Sequence, residues 1–120
     1  MRIFKIKNKE IYNVKKGDNP EGIHFYAVYK DKKTGKYRAI QLTHVLEEKK
    51  EKQIKKGQLT LEKIKCIGKK SISGVHNQYY DKDINGKDLD FGRKTKHKKV
   101  GNVSSAQAKR IMKHARKKVK

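Results

Sequence analysis

Single apolar residues alternate with lysines in RIFKIK at 2–7, and apolar positions return in IYNV at 11–14 beyond the polar break Asn8-Lys9-Glu10. This pattern predicts two short strands. GDNPEG at 17–22 holds the one proline of the chain and reads as a loop. The segments 23–30 (IHFYAVYK) and 37–45 (YRAIQLTHV) are rich in aromatic and β-branched residues. With DKKTGK at 31–36 as the turn, they form the clearest hairpin in the sequence. Residues 47–56 are almost all charged, with Ile54 the apolar exception, and fit either one exposed helical piece or a basic loop that Gly57 ends. Alternation resumes in 58–67 (QLTLEKIKCI), and SGVHNQYY at 73–80 reads as a further strand.

At the C-terminal end the period changes from two to about 3.6 residues. Ser104 and Gln107 have the spacing of a capping box, and Ala108, Ile111, Met112, Ala115 and Val119 align on one apolar stripe. The other faces carry Lys109, Arg110, Lys113, Arg116, Lys117 and Lys118, cations that suit the C-terminal end of the helix dipole. That basic face is either solvated or a rail for phosphates. Strands followed by a helix predict an α+β fold, and 120 residues fit one domain over 1–120.

Composition adds a partner. Lysine and arginine number 34 against 12 aspartates and glutamates, a formal net charge of +22. Such self-repulsion favours a polyanion, and nucleic acid is the leading one because cations release counterions from its phosphates. An anionic membrane fits less well, for lack of a long amphipathic basic helix. No stretch is long and apolar enough to span a bilayer and the N-terminus does not resemble a signal peptide, so no membrane association and a cytoplasmic location are expected. The single cysteine, Cys66, suits a reducing compartment. With 33% hydrophobic residues and no tryptophan the core is thin, which makes a homodimer a reasonable expectation.

Two patterns invite a metal. DKDINGKDLDFG at 81–92 matches the first half of an EF-hand loop through Asp81, Asp83, Asn85 and Gly86, but its twelfth position is Gly92 and helical flanks are missing. Asn85-Gly86 is also a favoured hairpin turn, although a two-residue turn would set Asp83 against Asp88. The five histidines share no metal-binding spacing, so neither a metal nor another cofactor is expected. His97, within KTKHKK, reads as a surface residue and His114 as the polar edge of the helix. His24 opens the first strand of the central hairpin, and Thr43 and His44 close the second, so the turn brings these ends together. Imidazoles beside a hydroxyl suit proton transfer at a phosphate held by the basic field.

The run GIHFYAVYKDKKTGKYRAIQLTH resembles the core hairpin of the MazF/PemK family of toxin ribonucleases, and KKVGNVSSAQAKRIMKHARKKV resembles that family's closing turn and helix. Together the two stretches cover under half of the chain. Thr43 takes the place of the family's threonine, and His24-Phe25 stands where the family has arginine and proline. The resemblance implies a small SH3-like β-barrel with a C-terminal helix, part of a type II toxin-antitoxin pair. The implied activity is a metal-independent endoribonuclease, a hydrolase-class nuclease cleaving single-stranded RNA by attack of the 2′-hydroxyl. It also implies an antitoxin partner, either protein or RNA. On this reading His24 and His44 transfer protons, Thr43 donates to a phosphate oxygen, and Arg38 is an alternative source of the family's cation. His76, Asn77 and Tyr80 join Arg38, Lys109, Arg110 and Lys113 as candidate RNA contacts. Tyr26, Tyr29 and Tyr37 are further stacking candidates. The alternative is a noncatalytic basic protein that binds RNA or DNA.

Overall fold

The computed structural model describes residues 1–14, 18–44, 49–57, 59–62, 72–92 and 95–119. Six strands form one antiparallel sheet in the order β4-β5-β3-β2-β1-β7. They are β1 (Arg2–Lys7), β2 (Ile23–Lys30), β3 (Tyr37–His44), β4 (Leu59–Glu62), β5 (Ile72–Val75) and β7 (Lys98–Asn102). A short helix α1 (Lys50–Lys55) precedes β4, and α2 (Ser105–His114) follows β7. A small parallel pair joins β6 (Gln78–Tyr79) to β8 (Lys117–Lys118). This is an α+β fold. Among the described residues the strand order is open, with β4 and β7 at its two edges and no closed barrel.

Both faces of the sheet are covered, which is why β2 and β3 are apolar on alternate positions of both parities. On one face Ile3, Ala27, Ile40, Leu42 and Val75 pack under Ala108, Ile111 and Ala115 of α2. On the other, Phe4, Ile6, Tyr26, Val28 and Ala39 lie against Ile11, Leu89 and Phe91. The irregular stretch after β6 therefore acts as a second cover.

The central hairpin forms as expected, paired from Phe25 with Leu42 through to Lys30 with Tyr37. Asp31 organises its turn: its carboxylate accepts hydrogen bonds from the Lys33 N–H at 3.2 Å and the Thr34 hydroxyl at 2.9 Å. Gly35 supplies the positive φ of 71° that lets the chain return.

Other expectations are corrected. IYNV is not a strand: Asn8–Glu10 is a 3-10 turn, Ile11 makes one isolated bridge to Asp83, and Asn13 adopts φ 59°. Asparagine tolerates that left-handed conformation, and it ends any extension. SGVHNQYY is broken at His76-Asn77, where the chain leaves β5 and resumes as β6. The C-terminal helix stops at His114. Ala115 leaves helical geometry, the Arg116 Nε–H donates to the Lys113 carbonyl at 2.7 Å, and β8 pairs with β6 instead of continuing the coil. Val119 thus falls outside the apolar stripe, and Met112 is largely exposed. His97 is also misjudged by sequence: its side chain is only 8% exposed and its ring lies 5.0 Å from that of Phe91. Ring burial against the core outweighs the basic neighbours in deciding where it sits. Around Asn85-Gly86, Lys82 rather than Asp83 pairs with Asp88, and Asp83 closes a longer turn by bonding to Lys87. The like-charge pair is avoided. Cys66, Val45 and the remainder of the 58–67 segment lie outside the described residues.

Candidate active site

One end of the β2–β3 hairpin collects the polar side chains that the sheet's alternation does not need for its core. The β2–β3 pairing ends at Phe25–Leu42, and His24 and Thr43 are the next residues of the two strands. Gln41 lies on the same face of β3, since its neighbours Ile40 and Leu42 belong to the α2 side. Its amide Nε2 is 3.3 Å from His24 Nδ1. In the neutral ring the amide N–H donates to Nδ1 and the His24 hydrogen sits on Nε2; in the protonated ring Nδ1–H donates instead, to the oxygen of the amide turned over. The His24 ring also meets Tyr26 edge-on at 6.5 Å, a contact that fixes its plane.

The next strand supplies the opposite wall. Thr43 pairs with Gly74, which contributes no side chain over it. The His76 backbone N–H then donates to the Gln41 carbonyl at 3.1 Å, bringing His76 alongside. Burial lowers the His76 pKa below the ordinary 6.5, and positive charge on His24 or His114 would lower it further. The three imidazoles therefore share one electrostatic environment, and His76 is held neutral at neutral pH. His114 lies in the last turn of α2, which packs on the opposite face of the sheet; its charge is felt at His76, and its Nε2 is buried and without a hydrogen-bond partner among the described residues. A neutral imidazole such as His76 is a ready proton acceptor. Among the described residues no group of three His, Cys, Asp or Glu side chains is arranged to hold a metal ion.

His44 follows Thr43 at the end of β3, its backbone paired with Ser73 and its side chain outside what the structure describes. Other sequence candidates lie elsewhere. Arg38 is five residues from Thr43, about 17 Å along the strand. There its guanidinium stands 4.1 Å from the Tyr79 ring centroid and 3.1 Å from Asp31. Burial opposes its charge, but hydrogen bonding to Tyr29 and nearby Tyr79 and Asp31 raise the pKa overall. Arg38 thus braces the far end of the hairpin. Asn77 is exposed beside Gly57, where a Cβ would come within 2.7 Å of the Asn77 amide. Tyr26 is fully buried and cannot stack on a base, whereas Tyr80 is half-buried with its ring 6.1 Å from that of Tyr26. Lys109, Arg110 and Lys113 line the exposed flank of α2, and no described carboxylate pairs with them.

Sequence reading missed Gln41 and His114. Gln41 left a trace as a polar residue at an inward position of AIQLTH. His114 left none, because its influence on His76 depends on where the end of α2 is placed, a long-range matter that spacing does not show. No protein-family model matches the chain, and no curated protein or solved structure matches it either. No helix among the described residues is long and apolar enough to cross a membrane.

Proposed function

We propose that this protein is a toxin-like, metal-independent endoribonuclease acting on single-stranded RNA. The observation that carries the reading is the joining of His24, Thr43 and His76 at one hairpin end, with His76 kept neutral by burial. Neutral His76 accepts the proton of the RNA 2′-hydroxyl. The freed oxygen attacks the adjacent phosphorus, a P–O2′ bond forms, and the P–O5′ bond breaks. His24, in its protonated form, returns a proton to the departing 5′-oxygen. Thr43 donates its hydroxyl hydrogen to a nonbridging oxygen as charge builds on the phosphorane. The products are a 2′,3′-cyclic phosphate and a 5′-hydroxyl, and DNA, lacking the nucleophile, resists.

The MazF/PemK-like identity, its SH3-like barrel and an antitoxin partner belong to the same proposal. They are supported by the hairpin, the β7-to-α2 junction at Gly101–Ser104 and the closing helix in the family's order. The noncatalytic RNA- or DNA-binding alternative draws on the unpaired cations of α2. One assay separates the two: RNA and a matched DNA are incubated in EDTA with wild type, His24→Gln and His76→Gln. The ribonuclease reading expects RNA-only cleavage to cyclic phosphate, reduced about 10²–10⁴-fold in each variant. Binding by the wild type without any cleavage would establish the alternative.

A further inference from the structure

A cavity of about 320 Å³ opens on the His24 face of the sheet, lined by Tyr12, Asn13, Tyr80, Asp81, Lys82 and Lys118. That volume is at the lower end of small-ligand sites, room enough for one planar ring system. Its walls are held by backbone bonds. Tyr80 exchanges two 2.8 Å hydrogen bonds with Ala39, the Tyr12 N–H donates to Lys82, and β8 pairing fixes Lys118.

The chemistry of the walls is selective. Asp81 is 9% exposed, its Oδ2 lies 3.2 Å from the Lys118 ammonium, and its Oδ1 has no hydrogen-bond partner among the described residues. A buried carboxylate oxygen without a donor is costly, so a ligand N–H beside it would be favoured. An ammonium donor next to a two-oxygen acceptor complements an edge that reads acceptor, donor, donor. Guanine presents that order in O6, N1–H and N2–H. Adenine, cytosine and uracil each set a lone pair where the carboxylate needs a hydrogen. Tyrosine rings supply the apolar walls on which unpaired bases stack. Behind the cavity wall, the Tyr80 ring lies 6.1 Å from that of buried Tyr26, which in turn meets His24 edge-on at 6.5 Å.

From this we infer that the Tyr12–Tyr80–Asp81–Lys118 cavity is a guanine pocket that selects an unpaired base of the bound RNA. The inference rests on the reading of the protein as RNA-acting, but its test does not need cleavage. Labelled uridine oligonucleotides carrying one central guanine, inosine, adenine or cytosine are made with 2′-O-methyl at every position, which blocks 2′ attack. Fluorescence anisotropy in EDTA then measures binding alone. Wild type binds the guanine oligonucleotide about tenfold tighter than the adenine and cytosine ones, with inosine between. Asp81→Asn abolishes the preference. Tyr12→Ala, at an exposed position where folding is not at stake, weakens the guanine complex several-fold while sparing the others. Equal affinity for all four, or a guanine preference unchanged in Tyr12→Ala, overturns the pocket. Cleavage of ordinary RNA is scored separately: cutting without base preference sinks the pocket alone, and guanine preference without cutting sinks the ribonuclease reading alone.

Discussion

Burial, reinforced by His24 and His114, holds the His76 pKa below the ordinary 6.5. His97 is also lowered, by burial against the pull of Glu10, whose carboxylate lies 3.1 Å from its Nε2 without hydrogen-bond geometry. In the unfolded chain both rings take up protons near 6.5, while the folded protein resists them. The unfolded state therefore binds more protons in this window, and stability falls as pH drops below 6.5. Urea melts between about pH 5 and 8 will show that loss, with His76→Gln and His97→Gln each removing part of it and the double variant most of it. An unchanged slope in the double variant would refute the assignment. His24 and Thr43 were legible in the sequence because hairpin pairing is local and its turn residues are unambiguous. His76 was harder, since it sits at a strand break that alternation cannot show. His97 was misleading because five lysines and arginines among its neighbours hide a ring that the core claims.

At the scale of elements, α2 covers one face of the sheet and ends on His114, whose charge is felt at His76. Its start was legible: the Ser104 hydroxyl accepts a hydrogen bond from the Gln107 N–H at 3.2 Å. Its end was not, because the apolar spacing runs on to Val119 while the competing β6–β8 pairing, a long-range contact, stops the helix at His114. Removing the cap leaves an N–H of the first turn without its partner. Ser104→Ala is expected to cost about 1 kcal/mol. That lowers the thermal midpoint by about 4 °C, measured by circular dichroism. Ser104→Asp should restore it, because a carboxylate caps the same N–H and favours the positive end of the dipole. Failure of the aspartate to rescue would mean the serine acts through packing. The open strand order among the described residues was not legible either, as edge pairing depends on partners distant in sequence.

Across the whole molecule the excess of 22 positive charges has to find anions outside the chain, because the acidic residues are outnumbered and several of the described ones are already engaged by lysines near them. Glu21 takes Lys7 and Lys9, Asp88 takes Lys36 and Lys82, and Asp81 takes Lys118. The exposed flank of α2 keeps Lys109, Arg110 and Lys113 without such partners among the described residues. If they contact RNA phosphates directly, each contributes about 0.7 to the slope of log affinity against log salt for a single strand. Replacing all three with glutamine should then flatten that slope by about 2. A control with the same charge change, Lys32→Gln, Lys33→Gln and Lys87→Gln at exposed turn positions, separates contact from general field. A phosphate rail on α2 requires the first triple to flatten the slope and the second to leave it nearly intact. Equal flattening by both would mean that RNA feels only the diffuse charge of the protein, with the helix flank no more than solvated surface.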